Sequence, residues 1–174
     1  YQAMPDDHVT RILVARALGT LQLASRVFEH KQNVMGVVAL RGGRLASIDM
    51  SGALVISDTA APERSQIVVA KGPSFERIVA SPSGDVFLAA RDRASALLVD
   101  ADTGTIRAEL PAEGDSHVGA VDPSGARVLV VGKEDEIVVW DVGSVRPLWR
   151  SELLGSAITA AALAGDYVVV GTKN

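Results

Sequence analysis

Ser81-Pro82-Ser83-Gly84 and Asp122-Pro123-Ser124-Gly125 are two copies of one turn sequence, one repeat period apart. Gly84 and Gly125 are 41 residues apart. Gly43 lies 41 residues before Gly84, and Gly165 lies 40 residues after Gly125. Each of these glycines follows one short apolar run and precedes another. A sequence period of about 40–45 residues is typical of repeated units that contain four β-strands each.

The runs between the glycines have the length and composition of strands. After Gly125, for example, the runs are 127–131, 137–141 and 147–149, rich in Val, Ile and Leu and separated by turn residues. They are too short for globular helices, and several are apolar at consecutive positions, as in strands buried on both faces. We therefore predict an all-β chain of about four antiparallel four-stranded units, incomplete at both ends. The predicted units are 9–28 (half), 34–70, 75–110, 116–152 and 157–174 (half).

The third run of each unit ends in an aspartate. Trp140-Asp141 ends one unit's third run, Asp58 and Asp100 end the two before it, and His30 precedes the first run that leads to Gly43. In these residues the chain, from about residue 9 to 174, resembles the WD-repeat β-propellers. The resemblance implies a propeller whose structural repeat positions are His30, Gly43, Asp58, Gly84, Asp100, Gly125, Trp140, Asp141 and Gly165.

The resemblance to the WD-repeat family is incomplete. The aspartate expected in the turn after the second strand is replaced by Ser51 and Arg93 in two units. The resemblance therefore implies that the family's His-Ser-Asp-Trp hydrogen-bond network is mostly broken here.

The C-terminal part also resembles a second propeller family. Leu148-Trp149-Arg150 and Tyr167-Val168-Val169-Val170-Gly171-Thr172 are similar to the repeat of quinoprotein-type propellers. That resemblance implies the same kind of fold with an alternative function, a quinoprotein- or lactonase-type propeller with a ligand or cofactor site at its central channel.

The segment that leads to His30 allows two interpretations. Leu13-Val14-Ala15-Arg16-Ala17-Leu18-Gly19-Thr20 aligns with Leu98 to Thr105, so 9–16 and 21–28 are interpreted as the last two strands of a preceding unit. The alternative is one amphipathic helix over 8–30, with Gly19 in its middle at a cost of about 1 kcal/mol. On that alternative the chain is a sensor propeller of a larger signalling protein, preceded by a linker helix.

Residues typical of catalysis or metal binding do not combine into a site. Asp102-Thr103-Gly104 is an aspartic-protease tripeptide, but that chemistry needs two carboxylates, and the repeat explains it as a turn. The three histidines, His8, His30 and His117, fall in different units, and the chain has no cysteine. We therefore expect no catalytic residue, no cofactor and no metal.

The sequence thus favours a non-catalytic scaffold for protein–protein interactions, a segment of a larger protein or assembly. Charged turns in adjacent units are the expected partner-binding positions, and the candidates are Arg91, Arg93, Lys133 and Glu134. Other protein partners, or a chain that completes the propeller, are expected. The net charge of −4 argues against nucleic acid as the main ligand. No apolar run is long enough to cross a bilayer, so we expect no membrane span. A cytoplasmic (intracellular) location is also expected.

Overall fold

Strands account for almost all of the regular structure. The computed structural model describes residues 30–91, 95–111, 118–132, 136–151 and 157–173. These residues form fourteen β-strands and two single-turn 3₁₀ helices, Arg41–Gly43 and Pro62–Arg64, and they contain no α-helix. The all-β prediction is confirmed.

The strands form three four-stranded sheets and one two-stranded sheet, in which consecutive strands pair antiparallel. Sheet 1 contains β1 (Val34–Ala39), β2 (Arg44–Asp49), β3 (Leu54–Asp58) and β4 (Gln66–Val69). Sheet 2 contains β5 (Phe75–Ala80), β6 (Val86–Arg91), β7 (Ser95–Asp100) and β8 (Ile106–Pro111). Sheet 3 contains β9 (Val118–Val121), β10 (Arg127–Val131), β11 (Ile137–Asp141) and β12 (Arg146–Arg150), and sheet 4 contains β13 (Ile158–Ala164) and β14 (Tyr167–Thr172).

Strand register repeats from sheet to sheet. The first strands β1, β5 and β13 each shift register near their beginning, and the outer strands β4, β8 and β12 each have one residue that the ladder skips, namely Val68, Arg107 and Leu148. Such shifts mark β-bulges, which bend and twist a strand locally. The sheets therefore repeat in three dimensions as well as in sequence.

The core consists of three apolar layers, one between each pair of neighbouring sheets. Because side chains alternate across a strand, β6 sends Phe87 and Ala89 towards sheet 1 and Val86, Leu88 and Ala90 towards sheet 3. Strand β10 likewise sends Val128 and Val130 towards sheet 2 and Leu129 and Val131 towards sheet 4. Consecutive apolar residues are thus explained by strands that serve two layers at once.

The first strands of the sheets form an inner row. Strand β1 packs beside β5, β5 beside β9, and β9 beside β13, whereas β1 and β13 do not pack side by side. The row of described sheets is therefore open. The segment 9–28 and residues 8–29 of the alternative helix lie outside the described residues.

No helix in the described part of the chain is long and apolar enough to span a membrane.

Candidate functional site

A buried polar network lies at the start of sheet 1. The Nδ1 atom of His30 lies 2.9 Å from Oδ2 of Asp49, and its Nε2 atom lies 2.6 Å from Oγ of Ser47. The side chains of His30 and Asp49 are only 4% and 1% exposed, and Ser47 is 8% exposed. The network fastens the chain segment before β1 to the end of β2.

This network supplies an aspartate to sheet 1, although the position at which the family resemblance implies one is occupied by Ser51. The Oδ2 atom of Asp49, two residues earlier, lies beside Nδ1 of His30. The Oδ1 atom of Asp49 accepts hydrogen bonds from the N–H and the Oγ hydroxyl of Ser51. Burial raises the pKa of the Asp49 carboxyl, yet the hydrogen bonds from Ser51, Ala53 and His30 outweigh burial and hold that pKa below its ordinary value. The carboxylate is therefore held in its charged form.

The order Asp–His–Ser is also that of a hydrolase triad, in which the serine hydroxyl attacks the substrate. A nucleophile must be open to its substrate, but Ser47 is buried. A neighbouring pocket of about 190 Å³ is lined by His30 and Asp49 but not by Ser47. We therefore interpret the network as one that stabilises sheet 1.

The three aspartates at the ends of the third strands share one local role. Asp58, Asp100 and Asp141 each accept hydrogen bonds through Oδ1 from backbone N–H groups two or three residues later. Burial raises the pKa of Asp100, but bonds from Arg107 and Thr103 outweigh that effect and lower the pKa to about 2. These aspartates therefore cap the turns that lead into the outer strands.

Arginines at equivalent places connect neighbouring sheets. Arg44, at the start of β2, donates to the Ala101 carbonyl oxygen at 2.6 Å and pairs with the Asp102 carboxylate of sheet 2. Arg127, at the start of β10, pairs with Asp166 of sheet 4 at 3.0 Å. Both side chains hold a turn of the next sheet in place.

Of the predicted partner-binding residues, the structure describes Arg91 alone. Its guanidinium carbon lies 5.4 Å from the ring centroid of Phe75, and its Nη1 atom lies 3.2 Å from Oε1 of Glu109. The side chain is 16% exposed, so most of its surface is used within sheet 2. Arg93, Lys133 and Glu134 lie outside the described residues.

The two tryptophans differ in environment. Trp140 is 7% exposed and belongs to the layer between sheets 2 and 3, whereas Trp149 is 48% exposed on β12. The difference arises because sheet 4 has no described strand opposite β11 and β12.

That difference in strand number opens a groove, which we call the β12–β14 groove. Sheet 3 contributes Val139, Leu148 and Trp149, sheet 4 contributes Leu163, Tyr167 and Val168, and the volume is about 480 Å³. Leu148 and Tyr167 are 57% and 76% exposed. Large exposed apolar side chains that lie together are typical of interaction surfaces.

Sequence reasoning missed both Asp49 and the groove. Ser47 and Asp49 lie two residues apart in β2, a spacing that places two polar side chains on one face of a strand. The groove had no comparable signal, because apolar strands look alike in sequence whether or not a neighbour covers them. Within the described ranges, no group of three His, Asp or Glu residues could hold a metal ion.

Comparison with known proteins assigns the chain to no family, because neither a protein-family model nor a curated protein matches it.

Proposed function

We propose that this chain is a β-propeller segment of the WD-repeat kind that serves as a non-catalytic scaffold for protein–protein interactions. The observation that carries the proposal is the β12–β14 groove, an exposed apolar surface beside repeated sheets that pack on one another through apolar layers. The polar constellation that most resembles catalytic machinery, His30–Asp49–Ser47, is buried, which favours a structural role for it.

The propeller assignment has its own support. Three successive sheets have four antiparallel strands in meander order, their first strands form one inner row, and each sheet packs on its neighbours through an apolar layer. Propeller blades have this construction, and their loops and edges commonly bind other proteins. Charged turns between second and third strands would then form a rim that selects partners by charge.

The test is capture of partners by the full chain with charge-reversed variants. We expect the wild-type chain to retain a stoichiometric partner and Arg93→Glu or Lys133→Glu to weaken that retention at least several-fold. Arg64→Glu is the matched control, because Arg64 is an exposed arginine in the turn between third and fourth strands. Retention that is equal in all variants would refute the charged-rim part of the proposal, and the absence of any stoichiometric partner would refute the scaffold function.

A further inference from the structure

Among the described residues, Val145 is the one residue other than glycine whose φ is positive. Its φ of +54° lies in the left-handed region, which is unfavourable for L-residues and most of all for those branched at Cβ. Sheet 2 has Gly104 at the equivalent turn position, with φ +68°. A glycine at position 145 would therefore allow the same turn without the backbone strain.

The packing of the sheets does not account for this valine. Val142, in the same turn, packs against the apolar layer between sheets 2 and 3, whereas Val145 belongs to none of the three layers and is 40% exposed. The turn is held by Asp141, whose Oδ1 atom accepts hydrogen bonds from the N–H and the hydroxyl of Ser144. Strained backbone positions cluster at binding and switch sites, where the strained residue is used.

The exposure of this turn is a property of its place in the sheet. Sheet 2 has a four-stranded sheet on either side, and there the residues that follow Gly104, from Thr105 to Arg107, are exposed as well. The exposure of Val145 and Arg146 therefore does not depend on how many strands sheet 4 has.

A cation without an ion partner lies beside the strained valine. Arg146 is exposed, and no carboxylate of the described residues pairs with it, whereas Arg107 in the outer strand of sheet 2 pairs with Asp100. Complementary charges at exposed surfaces select binding partners. A partner that contacts both Val145 and Arg146 needs an apolar side chain and a carboxylate next to each other.

We propose that Val145 and Arg146 contact a protein partner that presents a carboxylate beside an apolar side chain. The valine supplies the apolar contact and the arginine the ion pair, and loss of the contact is the reason that a less strained glycine does not serve at position 145. The inference rests on the proposed scaffold function, for which it names two contact residues and a class of partner.

Selection of peptides on the full chain tests the contact. A display library of random short peptides is first depleted on the Val145→Gly chain and then selected on the wild-type chain. We expect the selected peptides to share an acidic residue next to an apolar residue. Arg146→Glu should weaken their binding by roughly fivefold or more, as expected for a contact residue of an interface. Arg64→Glu is the matched control and should leave their binding unchanged, because Arg64 is an exposed arginine in the corresponding turn of sheet 1.

Chemical denaturation of the Val145→Gly chain separates a binding role from a structural one. We expect this variant to unfold at a higher denaturant concentration than the wild-type chain, since the change removes strain and contact together. A selection that yields no peptide dependent on Val145 would overturn the proposal, as would peptides that bind Arg146→Glu as tightly as wild type. So would a Val145→Gly chain that is no more stable than wild type. Capture of a stoichiometric partner tests the scaffold function separately, so either idea can fail without the other.

Discussion

At the scale of single residues, Val145 has a backbone conformation that does not suit its side chain. Its φ is +54°, and it holds the turn position that Gly104 holds in sheet 2 with φ +68°. The left-handed region costs about 1–2 kcal/mol for an L-residue, and branching at Cβ adds crowding. We expect Val145→Gly to raise the free energy of unfolding by about 1 kcal/mol, measured by chemical denaturation.

The reverse substitution, Gly104→Ala, is the matched control for Val145→Gly. It should lower the free energy of unfolding, because the φ lies in the same region and a Cβ there would meet the Gln66 amide. A Val145→Gly protein that is no more stable than wild type would show that Val145 carries no backbone strain.

The buried network shows what residue patterns can and cannot predict. The resemblance to WD repeats implied a structural role for His30, but it implied the aspartate of the network at position 51. The structure uses Asp49, because β2 runs on to that residue and places it on the same face as Ser47. Sequence spacing identifies a turn, whereas the partner of a side chain depends on where the strand ends.

At the scale of elements, the glycine turns of sheets 2 and 3 pack against the sheet before them, Gly84 against Leu40 and Arg41 and Gly125 against Val86. The Arg41 N–H of sheet 1 donates to the Gly84 carbonyl oxygen at 3.2 Å, and a Cβ on Gly84 would lie 2.6 Å from that nitrogen. Gly165 occupies the matching turn of sheet 4 with φ +60° but has open space around it. A side chain at either glycine would have an unfavourable positive φ, but only a side chain at position 84 would also collide with sheet 1.

We expect Gly84→Ala to destabilise the protein by about 2 kcal/mol more than Gly165→Ala, because the second change adds strain but no collision. Thermal or chemical unfolding of both variants gives the comparison. Equal losses would mean that the turn can move away from sheet 1 without cost.

Strand positions were predictable because each strand has a short apolar run between turn residues. The bulges were not, although six strand pairs contain one. A bulge is a property of a strand pair, and for Leu148 of β12 nothing in the run Arg146–Arg150 shows that the ladder skips it. The local sequence therefore predicts where the strands lie, whereas the bulges depend on how two strands pair.

At the scale of the whole molecule, burial falls from the middle of each sheet towards its outer strand. Strands β6 and β7 are buried at nearly every position, whereas all five residues of β12 are exposed. We expect amide hydrogens of β6 and β7 to exchange slowest and those of β12 at least tenfold faster, measured by mass spectrometry. Uniform exchange over all strands would instead indicate that the molecule opens only by global unfolding.

The overall architecture was largely predictable, since the turn spacing and the apolar runs indicated repeated four-stranded antiparallel units. The exposed groove was not, because Trp149 and Trp140 lie in similar runs and only the number of strands in the next sheet separates their environments. The exposure of Trp149 depends on how many strands the neighbouring sheet has, and the local sequence around Trp149 carries no information about that sheet.

The layers between sheets bear on how such a chain could lengthen. The face of sheet 2 that meets sheet 1 presents Phe87 and Ala89, and the equivalent face of sheet 3 presents Val128 and Val130. A Phe–Ala pair and a Val–Val pair have nearly the same total volume, and cores tolerate exchanges that conserve volume. Tandem duplication of one unit would therefore place compatible surfaces in contact at the new junction, so gene copies could grow by whole units without prior adaptation of the interface.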